Sequence, residues 1–404
     1  MTELRALTSA RGIAAWLVVL FHLRQSIAGL PASASALLDK GYLAVDFFFL
    51  LSGMVIWLAY SERLREGGLR SVPDFLRRRV ARIWPLHAFL LGVALALALL
   101  LAATGRPAPQ FPLAELPLHL LLVQNWGFTD ALAWNDPAWS ISCELAAYLL
   151  FPVLAFAIDW RRVPTPAVVA ALAALLVLLH AVFAARSAAN LGEDIPHLGL
   201  IRCILEFACG TAVGALWLRW RGEWQLPAAL TTSAALLLLL SPLVETLRIP
   251  AAFAALLLAL ALTAGRRRNP LEARPLHWLG EISYATYLAH YPLWFAFKLA
   301  LVADPRAVPP ATVALYLVLV LAASAVLHHM VERPAQRWLN GLRIGTKPRS
   351  HAFPILREEG QCRTTKSSMS MISNRESPVE RSATAGAIGG RTANGSPTAT
   401  KSTG

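Results

Sequence analysis

Apolar stretches near membrane-span length follow one another along the chain, separated by short segments that carry charge, Pro or Gly. Candidate spans lie at 6–27, 42–61, 83–103, 139–158, 164–185, 199–218, 226–244, 251–264, 282–302 and 310–331, against the ~20 apolar residues that a helix needs to cross a bilayer. The pattern predicts an all-α polytopic membrane protein with about ten transmembrane helices. Two places bear on that count. The 251–264 stretch is short for a span, and the segment near 116–124 is short and amphipathic, which predicts an interfacial or re-entrant piece.

Composition agrees with the pattern: 56% of residues are hydrophobic and 15% charged, with a mean hydropathy of +0.52, far from an ordinary soluble domain. Residues 1–340 carry no convincing internal repeat, which weighs against transporter folds built from duplicated halves. They are expected to form one membrane domain. From about Gly345 the chain turns rich in Ser, Thr and Gly with few large apolar residues. A segment of that kind buries no core, so 345–404 is expected to be a disordered cytoplasmic tail, either inert or regulatory.

Cytoplasmic loops retain Lys and Arg, and that bias sets orientation. With the N-terminus inside, the loops at 62–82, 159–163, 219–225 and 265–275 carry fifteen Arg, while the opposite loops carry six Lys or Arg. Both termini are therefore expected to be cytoplasmic. The net charge of +13 follows largely from this bias and the basic tail. Nucleic-acid binding is the weaker explanation, because the Arg sit on separated short loops. Cys143, Cys203 and Cys209 fall inside spans and Cys362 in the tail, without metal-ligand or disulfide spacing, so no metal is expected. Arg11 and His22 interrupt the first apolar segment and no small-residue cleavage site follows, so the first span is expected to stay in the mature protein.

Arg11 and His22 are also the leading chemical candidates. Eleven positions make almost three helical turns, which puts both side chains on one face about 16 Å apart. Ionisable residues are costly in a bilayer and face a bundle interior or a wet cavity. The pair fits a polar path; it also fits a snorkelling Arg and a His bonded to a neighbouring helix. In the second span, GYLAVDFFFLLSG, Asp46 needs a partner or caps the helix at the outer interface, and Ser52-Gly53 makes a small break. Arg77, Arg78, Arg79 and Arg82 crowd the entrance to the third span. Such a run is a topology signal or an anionic-lipid anchor, or it grips the phosphates of a cytoplasmic donor.

The fourth span, WSISCELAAYLLFP, holds Glu144, a partner for Arg11 or Arg202. Arg202 and Glu206 stand at i, i+4 and are expected to neutralise one another. In the ninth span, LGEISYATYLAHYPL, Ser283, Tyr287 and His290 form one polar stripe that serves helix packing, sugar binding or proton steering. Glu332 and Arg333 mark the cytoplasmic end of the last span, where a structural closure is expected.

These segments together resemble the membrane-bound acyltransferase-3 family over about residues 4–340. The Arg11-to-His22 spacing is similar to the family's first-helix signature, GYLAVDFFFLLSG to its second-helix motif, and RRRVARIWP to its basic-loop pattern through Arg78, Arg79 and Arg82. Glu144, Ser283 and Tyr287 stand at matching positions of its later markers. The sequence departs in having CEL where the family commonly has an acidic pair followed by Gln, and no fused hydrolase-like domain is expected. The resemblance implies a multi-pass enzyme of the bacterial cytoplasmic (inner) membrane. It would move an acyl group, usually acetyl, from cytoplasmic acyl-CoA to an acceptor hydroxyl on the outer face, commonly of a carbohydrate or glycolipid. A separate acyl-receiving partner protein is compatible with this scheme, and no bound cofactor is implied. Arg78, Arg79 and Arg82 would grip donor phosphates, Arg11 would lie along the path, and His22 would act as general base or transient acyl carrier. Asp46, Ser52, Glu144, Ser283, Tyr287 and His290 would be supporting polar residues. A proton-coupled exporter is the competing class, since intramembrane Arg, His, Asp and Glu suit it as well. A membrane sensor or scaffold gains little support.

Overall fold

A computed structural model describes residues 4–266 and 269–342 of the chain. The expected tail at 345–404 lies outside these residues. The helices in chain order are α1 (Arg5–Leu23), α2 (Ala32–Leu38), α3 (Ala44–Gly67), α4 (Val72–Ala103), α5 (Leu116–Leu120), α6 (Ala138–Ala157) and α7 (Thr165–Ala185). They continue with α8 (Ile195–Trp220), α9 (Gln225–Leu240), α10 (Glu245–Thr263), α11 (Arg274–Glu281), α12 (Ser283–Leu301), α13 (Pro310–Leu327) and α14 (Arg333–Gly341). Among the described residues the only extended pairing is an isolated bridge between Ile27 and Val308.

Each of the ten expected stretches is occupied by a helix. By length and hydropathy, seven helical stretches suffice to cross a membrane, one of which, Ala32–Ala103, contains both α3 and α4. Helix α9, with 16 residues, is shorter, and the polar stripe of α12 keeps it below that hydropathy. The short 251–264 stretch belongs to α10, which begins at Glu245 and reaches 19 residues. The 116–124 segment forms only the five-residue α5 and a turn. The protein is an all-helical, multi-pass membrane protein.

Without a hydrophobic drive between helices in lipid, close packing decides which helices pair, and small residues allow it. The closest pair is α3 with α8. A Cβ added to Gly53 would stand 1.9 Å from the carbonyl oxygen of Phe207, and one on Gly210 would stand 2.0 Å from that of Leu50. The two backbones therefore touch at reciprocal glycines. Helix α1 crosses α11 the same way: a Cβ on Gly280 would lie 2.0 Å from the Thr8 carbonyl oxygen. That crossing sets Arg11 beside the start of α12. Apolar side chains on α7 and α13, such as Val177, Leu178 and Val318, are exposed on the outside of the bundle, where lipid is the solvent.

Proline shapes the polar elements. Pro292 has no N–H for the carbonyl of Leu288 four residues back, and Asn135 Nδ2 donates to that oxygen instead (3.0 Å). A π-helical turn, His328–Glu332, follows α13. Such a turn breaks the 3.6-residue register, and here Glu332 is buried inside the bundle.

Gly53→Val is expected to destabilise the fold by about 1–3 kcal/mol or more, since overpacking here meets backbone on the facing helix. Gly92→Ala, where an added Cβ meets nothing within 4 Å, should be neutral. Thermal unfolding of the two purified variants in one detergent checks the contrast.

Candidate active site

A cavity of about 220 Å³ opens between α1, α3, α4, α6 and α12. Arg11 reaches it from α1, Ser52 from α3, Arg79 and Arg82 from α4, Glu144 from α6, and Ser283 and Tyr287 from α12. The Arg11 guanidinium donates from Nε to Ser283 Oγ (2.9 Å) and from Nη2 to the carbonyl of Gly280 (2.8 Å). Gly280 is the residue whose missing side chain lets α1 approach, so packing and site share one contact. Opposite it, Glu144 accepts hydroxyl protons from Ser52 (2.5 Å) and Tyr148 (2.6 Å).

The two other cavity arginines differ in their surroundings. Arg82 pairs with Glu332 and stacks over the Tyr284 ring, 5.3 Å from its centroid. Glu332 in turn accepts from His328 Nδ1 (3.0 Å). Arg79 meets the Tyr60 hydroxyl (2.9 Å) and ring face, neither of which carries charge. Three guanidinium groups thus line the cavity with one carboxylate, Glu144, and Arg79, like Arg11, is hydrogen-bonded to neutral groups while Arg82 is held by Glu332. An anion in the cavity would be drawn to the two with neutral partners.

His22 does not line this cavity. Ser140 Oγ and the Tyr287 hydroxyl are joined at 2.7 Å on the cavity wall, and the His290 ring lies 6.3 Å from that of Tyr287. His22 packs against His290, with His22 Nδ1 3.2 Å from His290 Nε2 and 2.9 Å from the Val18 carbonyl oxygen. The Tyr291 ring meets His22 edge-on at 5.4 Å. Tyr291 is also a neighbour of Asp136 in the loop before α6, where burial pushes the Asp136 carboxyl above the usual range. A second space of about 10 Å³, room for about one water, is lined by His119, Gln124, Asn135 and Asp136. Burial holds the His119 imidazole down to about 4, so it is neutral at pH 7.

Of the residues singled out in the sequence, Arg11, Ser52, Arg79, Arg82, Glu144, Ser283 and Tyr287 come together around the main cavity, and His22 and His290 form a contact pair beyond its wall. Others are placed differently. Arg78 donates to Asp74 (2.9 Å) and does not line the cavity, because its position on α4 turns it away from Arg79 and Arg82. Asp46 neither caps α3 nor reaches the cavity; it is fully buried and accepts both bonds of a bidentate contact from Arg202 (2.8 and 2.7 Å). Arg202 thus gives its hydrogen bonds to Asp46, and the expected i, i+4 pairing with Glu206 is the looser contact, 4.0 Å with no hydrogen bond to the Glu206 carboxylate among the described residues. Glu144 takes hydroxyls where a guanidinium partner was expected. Glu332 is part of the cavity's charge balance and more than an end marker.

Sequence reading missed Tyr148, Tyr284, Tyr291 and Asp136. Two spacings carried a local signal, Glu144–Tyr148 and His328–Glu332, each at i, i+4; Tyr284, Tyr291 and Asp136 meet partners on other helices or lie in a loop.

Fold and site define a class: an all-helical membrane protein with arginines, carboxylates and hydroxyls gathered around an internal cavity. Residues 4–329 match the family model described as Acyltransferase domain, and the chain belongs to this acyltransferase-3 family. It is a membrane acyltransferase, acting on an acyl donor. The protein named Acyltransferase MdmB from Streptomyces mycarofaciens is 32% identical over 379 residues, covering 86% of this chain and 96% of that protein. Exopolysaccharide production protein ExoZ from Rhizobium meliloti (strain 1021) is 28% identical over 279 residues, 65% of this chain and 78% of its own. Protein 2 in picA locus from Rhizobium radiobacter is 34% identical over 158 residues, 36% of this chain and 78% of its own. No solved structure matches the chain.

Removing Arg202 leaves the buried carboxylates of Asp46 and Glu206 without their cation, which costs about 3–5 kcal/mol. Arg202→Met should lower the unfolding temperature in detergent sharply, whereas Asp46→Leu, which leaves Glu206 4.0 Å from Arg202, should lower it less.

Proposed function

We propose that the protein moves an acetyl group from cytoplasmic acetyl-CoA to a hydroxyl of a carbohydrate or glycolipid acceptor at the outer face of a bacterial cytoplasmic membrane, with both termini inside. The observation that carries this reading is the single face of α1: Arg11 opens into a cationic cavity, and His22, three turns on, stands beyond the wall of that cavity. A donor with phosphates at one end and a thioester at the other matches a site with cations at one end and a base at the other.

In this scheme Arg79, with support from Arg82, binds donor phosphate from the cavity side. Arg11, held by Ser283 and the Gly280 carbonyl, keeps further N–H groups for the acyl end. His22 accepts the acceptor's hydroxyl proton as the oxygen attacks the thioester carbonyl; the C–S bond breaks and the thiolate takes up a proton to leave as free CoA. The Ser140–Tyr287 wall must part for the thioester to meet His22, which keeps the donor away from outer water between turnovers. A carbohydrate acceptor is supported by the printed name of the exopolysaccharide production relative.

The test is the full-length protein in liposomes loaded with [14C]acetyl-CoA, offered a panel of oligosaccharides and glycolipids outside. Labelled ester on an acceptor is expected, and release or export without transfer would favour the exporter reading. His22→Ala should abolish transfer with the unfolding temperature unchanged. Arg79→Gln should raise KM for acetyl-CoA roughly tenfold or more, the range for lost hydrogen bonds to charged groups. Arg78→Gln, which faces Asp74, should leave it near wild type once reporter fusions show correct insertion.

A further inference from the structure

The contact between His22 and His290 contains a tautomer assignment. Each ring has Nδ1 against the carbonyl four residues back on its own helix: 2.9 Å from Val18 for His22, and 3.1 Å from Thr286 for His290. A carbonyl oxygen only accepts, so each Nδ1 must carry the proton. His290 Nε2 is then a lone pair, and it lies 3.2 Å from the His22 Nδ1–H. The opposite assignment would set lone pair against lone pair at both carbonyls. With both rings protonated at Nδ1, every one of the three contacts is attractive. No group among the described residues bonds His22 Nε2.

The backbone that carries His290 is fixed from two sides. Asn135 ties the Leu288 carbonyl freed by Pro292, and the Tyr316 hydroxyl donates to the carbonyl of His290 itself (2.6 Å). His290 is buried, while His22 is half-buried between the edges of Phe21 and Tyr291. One imidazole is held rigidly as an acceptor, and the other is left with a nitrogen to use.

We propose that His290 is a positioning residue for His22: it shares the one Nδ1–H with the Val18 carbonyl, adds to the hold on that tautomer and so keeps Nε2 as the free base, and strengthens its hold when Nε2 takes a proton. The last effect follows because a hydrogen bond from an imidazolium N–H is charge-assisted. A neutral imidazole here takes the part that a carboxylate takes when it orients a catalytic histidine. The role rests on His22 being the base of the proposed transfer reaction.

Diethyl pyrocarbonate measures the nitrogen directly, with neither donor nor acceptor present. The unprotonated Nε2 attacks one carbonyl carbon, an N–C bond forms and the anhydride C–O bond breaks; the acylated ring loses its Nδ1 proton, and the departing ethyl carbonate takes up a proton to give ethanol and carbon dioxide. Labelling at His22 is followed by peptide mass spectrometry on the full-length protein in detergent, with His180 as the internal control. His290→Leu removes the acceptor and should slow labelling of His22 roughly tenfold, the upper range for one hydrogen bond. In His290→Gln the amide oxygen can accept the same proton, and labelling should return to within about threefold of wild type. In the transfer assay kcat should fall and recover in parallel, with KM for acetyl-CoA unchanged. If the leucine variant does not fold, His290→Asn, whose amide is one methylene shorter, replaces it and should be slowed alike. Wild-type labelling of His22 in the leucine or asparagine variant, or equal slowing in the glutamine variant, overturns the proposal. Those outcomes leave the acyl-transfer reading standing; active His22→Ala would overturn that reading while leaving the labelling result intact.

Discussion

The structure depends on the contact between α3 and α8, where reciprocal glycines bring two backbones together around a buried ion pair. Gly53 and Gly210 let the helices touch, and the same proximity allows Asp46 to receive both bonds from Arg202. In hydrocarbon an isolated charge on either helix would be prohibitively costly, so each residue requires the other. Such a pair adds little net stability against an apolar replacement, yet it excludes every register of α3 against α8 that separates the charges. Helices α1, α6 and α10 then pack on this pair.

The cavity inherits its geometry from that arrangement. Ser52, next to Gly53, and Phe48, just over one turn before it, line the cavity from α3, and Glu144 on α6 is held against Ser52. On the other side, Gly280 admits α1, and its carbonyl anchors the Arg11 guanidinium. Close backbone approach therefore serves two purposes at once. It packs helices that have no hydrophobic drive to associate, and it offers carbonyls to cations that lack water.

Charge around the cavity is balanced unevenly. Glu332, brought inward by the π-helical turn, compensates Arg82, whereas Arg79 has a phenol and a ring face. The arrangement therefore holds one guanidinium with a carboxylate and leaves the other with neutral partners only. Beyond the cavity wall the electrostatics change character: the histidine pair and the neighbouring Tyr291 and Asp136 are polar groups set beside one another, where proton position matters more than net charge.

The all-helical class, the positions of the apolar helices and the polar residues that share a helix face were legible in the sequence because they are local properties. A run of apolar residues has to be helical in lipid, and the spacing of Arg11, His22, Ser283, Tyr287 and His290 along their helices fixes which share a face. Partner choice is not local. Nothing within α8 says that Arg202 turns to Asp46 on α3 when Glu206 stands one turn away, or that Arg78 takes Asp74 while Arg79 and Arg82 enter the cavity. Nor could periodicity show that His22 meets a second imidazole, since 268 residues separate the two. These choices belong to the tertiary structure, because they depend on which backbones glycine allows to approach and on which buried charge would otherwise be left without a partner.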